Sequence, residues 1–73
     1  MKLDTLSNKA LITGIDGFTG AYLEAHLSSH GFDVYGTVVG TPVKDNHLQC
    51  DITVKSQVDN VISRLQPDYI IHI

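Results

Sequence analysis

Three glycines stand three residues apart in Thr13-Gly14-Ile15-Asp16-Gly17-Phe18-Thr19-Gly20. Such a run, placed between an apolar segment and a helix, does its chemistry with the backbone. Gly14 permits a tight turn where positive φ is often needed. Gly17 has no Cβ, so a diphosphate can come close to the main chain, and Gly20 lets the first helical turn lie near a sheet. The unpaired N–H groups at a helix start, with the positive end of its dipole, favour an anion there. The plain alternative is a turn that only joins two elements, and the strand–turn–helix context weighs against it. The spacing is not Gly-x-Gly-x-x-Gly. No Gly-Lys-Ser/Thr follows, so this is not a nucleoside-triphosphatase phosphate loop.

Other residues with chemical potential are fewer. Asp51 precedes Ile52 at the end of a short apolar segment. It is either a ligand acceptor or an acid stabilising the start of the next helix. His26 and His30 are four apart on one helix, a spacing that can hold a metal, but no third ligand stands nearby. A solvent-facing pair, with His30 near the helix C-terminus, accounts for them better. His72 lies in an apolar strand and reads as a hydrogen-bonded core histidine. Cys50 has no nearby cation to make it a thiolate and reads as a small buried hydrophobe. Lys55, Asp59 and Arg64 read as solvated helix surface.

The elements that must position these groups follow from pattern. Lys9-Ala10-Leu11-Ile12-Thr13 is a short apolar run stopped by Gly14, as expected of a strand buried on both faces. A helix follows to about His30 and is closed by Gly31. Phe18, Ala21, Tyr22 and Ala25 share one side of it, and Gly20, Leu23 and Leu27 a neighbouring stripe. Residues 32–39 read as a second strand, 40–46 as loop, and 47–50 as a short third strand. Val54, Val58, Val61, Ile62 and Leu65 fall on one face of a second helix, with Thr53 as N-cap and Pro67 as stop. Residues 69–73 form a fourth strand. The order β-α-β-β-α-β predicts an α/β fold with a parallel sheet. With right-handed crossovers and one helix on each face, the strand order is 3-2-1-4, with a switch point between the first and fourth strands. Residues 40–46 are short for a parallel crossover.

The chain has 73 residues, 5 Lys+Arg against 8 Asp+Glu, a net charge of −3, and 42% hydrophobic residues. That suits one small folded unit, and one domain is the ceiling at this length. A chain this short buries only roughly 60% of its unfolded surface, and the single cysteine excludes an internal disulfide. The acidic balance argues against nucleic-acid binding. No apolar run approaches a membrane span and no secretion signal opens the chain, so a cytoplasmic protein without membrane contact is expected. Residues 1–8 read as a loose N-terminal arm and 9–73 as the N-terminal half of a dinucleotide-binding domain. The final strand ends without a cap or polar tail, which points to part of a longer protein.

Leu11-Ile12-Thr13-Gly14-Ile15-Asp16-Gly17-Phe18-Thr19-Gly20 closely resembles the opening of the extended short-chain dehydrogenase/reductase family. Within it, the chain is similar to the NAD(P)-dependent epimerases and dehydratases that act on nucleotide sugars. Gly31-Phe32-Asp33-Val34-Tyr35-Gly36, Cys50-Asp51-Ile52 and Asp68-Tyr69-Ile70-Ile71-His72-Ile73 agree with that family's later strands. The resemblance spans residues 9–73 and implies a partial Rossmann fold. It places the diphosphate of NAD or NADP against the backbone at Gly17, Phe18 and Thr19, within the loop formed by Gly14, Asp16 and Gly20. Asp51 would accept from the adenine amino group, and the Ile52 N–H would donate to the ring.

By the same resemblance, an acid at the end of the second strand would select NAD by binding the ribose 2′-hydroxyl. That slot is Val38, and the following slot, where NADP-binding members often carry Arg, is Val39. With no acid to repel a 2′-phosphate, and with Lys44 in the adjoining loop, the balance tilts toward NADP. The family's Tyr-x-x-x-Lys proton shuttle has no match: His26, Val39 and Ile73 stand four residues after Tyr22, Tyr35 and Tyr69. This chain alone is therefore expected to bind cofactor without catalysis. The full-length protein would act on a nucleotide sugar as a homodimer. The Gly36-x-Val38 pattern leans toward GDP-mannose 4,6-dehydratases and GDP-4-keto-6-deoxymannose reductases. The competing reading is a non-catalytic NAD(P)-sensing module of the same fold.

Overall fold

Alternation along the first strand decides the architecture. In β1 (Lys9–Thr13), Ala10, Leu11 and Ile12 are all buried, so apolar side chains leave the strand on both sides and both faces must be covered. The structure, a computed structural model, describes residues 8–73. After β1 come α1 (Phe18–Ser29), β2 (Asp33–Val38), β3 (His47–Gln49), α2 (Lys55–Leu65) and β4 (Tyr69–His72). The four strands form one parallel sheet in the order β3-β2-β1-β4. The fold is thus the α/β arrangement expected, with its switch point between β1 and β4.

The two faces are packed by different helices. Ile12, Ile15, Val34 and Val38 form one cluster, against which Leu23 and Leu27 of α1 rest. Leu11, Cys50 and Val61 form the other, completed by Val58, Ile62 and Leu65 of α2. The stripe of α1 that packs is the one containing Gly20, Leu23 and Leu27. Phe18 and Tyr22 are 94% and 67% exposed, so the Phe18-Ala21-Tyr22-Ala25 side faces solvent. Periodicity alone does not choose between two adjacent apolar stripes. The contact of Gly20 with the chain at Ile15 does.

The crossover from β2 to β3 contains no helix. β3 pairs only with the last three residues of β2, Gly36 to His47 through Val38 to Gln49, so the return path is short and residues 39–46 suffice. Asn46 closes this loop: its carbonyl accepts the Gly36 N–H at 3.0 Å and its side-chain amide donates to the Val34 carbonyl at 2.9 Å.

The helix ends partly follow expectation. Gly31 adopts φ +86° after α1, the left-handed geometry a glycine takes without strain. Thr53 is not the N-cap of α2. Val54 occupies that position, and Thr53 instead turns its hydroxyl onto Asp51. At the other end Gln66 takes the left-handed conformation before Pro67, and its N–H donates to the Ile62 carbonyl at 2.7 Å. The expected arm at 1–8 falls outside the described residues except for Asn8, whose carbonyl accepts the Asp33 N–H at 2.9 Å. No helix among the described residues is long and apolar enough to cross a membrane.

Candidate functional site

The glycine turn lies at the C-terminal end of β1, beside the switch point, where ligands of open α/β sheets bind. Gly14 has φ +73°, which a side chain would strain. The Gly14 and Ile15 N–H groups both donate to the Thr37 carbonyl at 3.1 Å, which ties the turn to β2. Ile15, 1% exposed, drives its side chain into the α1-side core. The Gly17 N–H closes the turn onto the Gly14 carbonyl at 3.2 Å.

The next donors are left over. The N–H groups of Asp16, Phe18, Thr19 and Gly20 have no acceptor among the described residues, and the first bond of the helix region runs from the Ala21 N–H to the Gly17 carbonyl. These are the orphan donors of a helix start, gathered at its positive end. The glycines around them differ in what they require. A Cβ on Gly20 would lie 2.5 Å from the Ile15 carbonyl oxygen, so that glycine serves helix packing. A Cβ on Gly17 would meet only the Gly14 carbonyl oxygen at 3.6 Å, an ordinary contact. Nothing among the described residues demands glycine at 17, and the absent side chain leaves the orphan amides open to an approaching group. The turn therefore fits an anionic diphosphate.

Asp51 follows β3 at the same end of the sheet. Its Oδ1 accepts from the Thr53 N–H at 3.0 Å and from the Thr53 hydroxyl at 2.6 Å. These two bonds hold its carboxyl below the usual aspartate range. The Asp51 N–H donates to Gln57 Oε1 at 2.7 Å, which pins the main chain at this point. The Ile52 N–H has no acceptor among the described residues. Asp51 thus serves the local turn with one oxygen, and the other oxygen and the Ile52 amide remain for a partner.

The glycine turn and Asp51 do not share one cavity. Asp16 and Val38 line a hollow of about 360 Å³ on the α1 side, together with Ala21, Glu24, Lys44 and His47. Asp51 borders a hollow of about 550 Å³ between β3 and α2, with Gln49, Gln57, Asn60 and Arg64. Val38 is 4% exposed and belongs to the core as much as to the hollow it borders.

Other residues resolve simply. Cys50 is buried against Leu11 and Val61, and burial, with the neighbouring Asp51 charge, pushes its thiol up. His72 is exposed rather than in the core: its Nδ1 pairs with Thr13 Oγ1 at 2.7 Å across β4 and β1. The His26 and His30 rings lie tilted with centres 4.5 Å apart, and Tyr22 stacks on His26 at 6.1 Å. Lys55 and Asp59 pair at 2.7 Å on the exposed face of α2.

Two residues mattered more than their sequence context suggested. Gly36 is buried in β2, and a Cβ there would overlap the Ile15 side chain. Glu24 is a half-buried carboxylate that receives Asn46, His47 and Lys44. The glycine in mid-strand was the available signal for the first. Nothing in the local sequence marks the second.

A parallel sheet with a glycine turn, orphan helix-start amides and a carboxylate beyond the third strand defines the class of dinucleotide-binding Rossmann-type units. Residues 10–73 match the NAD dependent epimerase/dehydratase family. The chain belongs to that family. It is also similar to the crystal structure of a proposed epimerase from Burkholderia cenocepacia J2315, with 32% identity and a TM-score of 0.82 over 92% of this chain. The chain spans 25% of that protein's length.

Proposed function

We propose that this chain supplies the dinucleotide-binding part of an NAD(P)-dependent epimerase, dehydratase or reductase acting on a nucleotide sugar. The observation that carries the reading is the set of unpaired N–H groups at Asp16, Phe18, Thr19 and Gly20 beside a Gly17 that the fold does not itself require. Those amides would hold the diphosphate. The free oxygen of Asp51 and the Ile52 N–H would take the amino group and a ring nitrogen of adenine, acceptor to donor and donor to acceptor. The cofactor supplies hydride transfer; these residues bind and orient it.

The nucleotide-sugar substrate rests on the family resemblance. The narrower GDP-mannose branch rested on Gly36-x-Val38, but both residues have packing roles here, Gly36 under Ile15 and Val38 in the core. The proposal therefore stays at the level of a nucleotide sugar.

Titration of the protein carrying this chain with NADH and NADPH, followed by nicotinamide fluorescence, tests the reading. Saturable binding of at least one is expected, and it should weaken at least tenfold, about 1.4 kcal/mol, in Gly17→Val. Absence of binding to either nucleotide would overturn it.

A further inference from the structure

We propose that Glu24, on α1, makes the hollow at the end of β2 selective for a dinucleotide whose adenosine ribose carries free hydroxyls, NAD rather than NADP. The inference rests on the dinucleotide-binding reading above and names a specificity residue within that site.

The sequence offers no charge at Val38 or Val39, and Lys44 is the cation nearest in the chain to receive a 2′-phosphate. In the structure Lys44 is already engaged. Its Nζ lies 3.5 Å from Glu24 Oε1, and the same oxygen pairs with His47 Nε2 at 3.2 Å. Asn46 Nδ2 donates to the other oxygen, Oε2, at 2.7 Å. The Glu24 side chain is only 15% exposed, and its partners come from the loop and strand that follow β2. It is therefore fixed in place, ionised, and present in the hollow whatever Lys44 does.

Charge then decides the matter. Glu24, Asp16, Lys44 and His47 all line the hollow. Two carboxylates, Glu24 and Asp16, stand with the Lys44 ammonium, and the His47 ring is already bonded to Glu24 Oε1. A phosphate monoester carries about −1.5 to −2 at neutral pH. It would enter a site whose lysine is already paired with a carboxylate. The Lys44–Glu24 pair is partly exposed, so Lys44 can swing away at modest cost. Doing so leaves the Glu24 carboxylate uncompensated beside the incoming phosphate, and like charges at this range in a half-buried site repel appreciably. A ribose diol has the opposite requirement: its hydroxyls are donors and find carboxylate acceptors. Glu24 thus plays from the neighbouring helix the part that an acid at the end of β2 would play.

The test measures dissociation constants for NADH and NADPH in the unaltered protein, in Glu24→Gln and Lys44→Ala, and in the double variant. NADH should bind at least tenfold more tightly than NADPH in the unaltered protein. Glu24→Gln keeps the side-chain size and should move the ratio toward NADPH by about tenfold. Lys44→Ala should weaken NADPH further, and in the double variant the gain from Glu24→Gln should disappear. NADPH binding as tightly as NADH in the unaltered protein, or a ratio unmoved by Glu24→Gln, overturns the inference while leaving dinucleotide binding intact. Binding of neither nucleotide removes both readings together.

Discussion

Ile15 fills the space above Gly36 that any larger residue at that position would occupy. The middle of the β2 strand and the turn after β1 are therefore built as a pair. Ile15 enters the core, its N–H is held by the Thr37 carbonyl, and the chain beyond it leaves the Asp16, Phe18, Thr19 and Gly20 amides without acceptors among the described residues. Gly36→Ala should destabilise the protein by about 1–3 kcal/mol, the usual cost of overpacking. Gly40→Ala, where a Cβ would touch nothing, should change stability by less than about 0.5 kcal/mol. Urea unfolding of both variants checks the contrast, and a smaller residue at Ile15 should rescue part of the Gly36→Ala loss.

Gly20 and Gly17 should separate packing from binding. A Cβ on Gly20 meets the Ile15 main chain at 2.5–2.7 Å, so Gly20→Ala must displace α1. Both the unfolding midpoint and dinucleotide affinity should fall. Gly17→Val should lower affinity with a much smaller change in midpoint, because its Cβ has room. Equal losses of stability in the two variants would show that Gly17 is also a packing residue.

Asp51 and Thr53 should act as a unit. Asp51→Ala removes an ionised acceptor and should weaken dinucleotide binding measurably. Thr53→Ala removes the 2.6 Å bond that orients the carboxylate and should give a smaller loss of the same kind. A double-mutant cycle measured by calorimetry should show the effects to be non-additive.

Stability should decline in acid partly through Glu24. Burial raises its carboxyl, but hydrogen bonds from Asn46 and His47 and the charge of Lys44 together outweigh it, so the folded value lies below the ordinary 4.5. A depressed folded value means the stabilisation is present above the unfolded value and is lost as pH falls below about 4.5. Glu24→Gln should flatten the pH dependence of the unfolding free energy in that range. A slope identical to that of the unaltered protein would mean that the Glu24 contacts add nothing in solution.

Local pattern was enough to determine the elements, their parallel order and the place of the glycine turn. Strand burial, helical periodicity and the glycines are all written over a few neighbouring residues, and right-handed crossovers then leave few arrangements. The sequence did not reveal which stripe of α1 faces the sheet, that Gly36 is a socket for Ile15, or that Lys44 is bound by Glu24. The Gly36–Ile15 and Lys44–Glu24 pairs join residues about twenty apart in the chain, and periodicity carries no information about such pairs or about which of two adjacent apolar stripes packs. Asp51 lies between: its residue type and position marked it early. Only the fold showed that Thr53 and Gln57 hold it while one carboxylate oxygen stays free, because a side chain's spare bonding capacity depends on which neighbours the tertiary packing brings within reach.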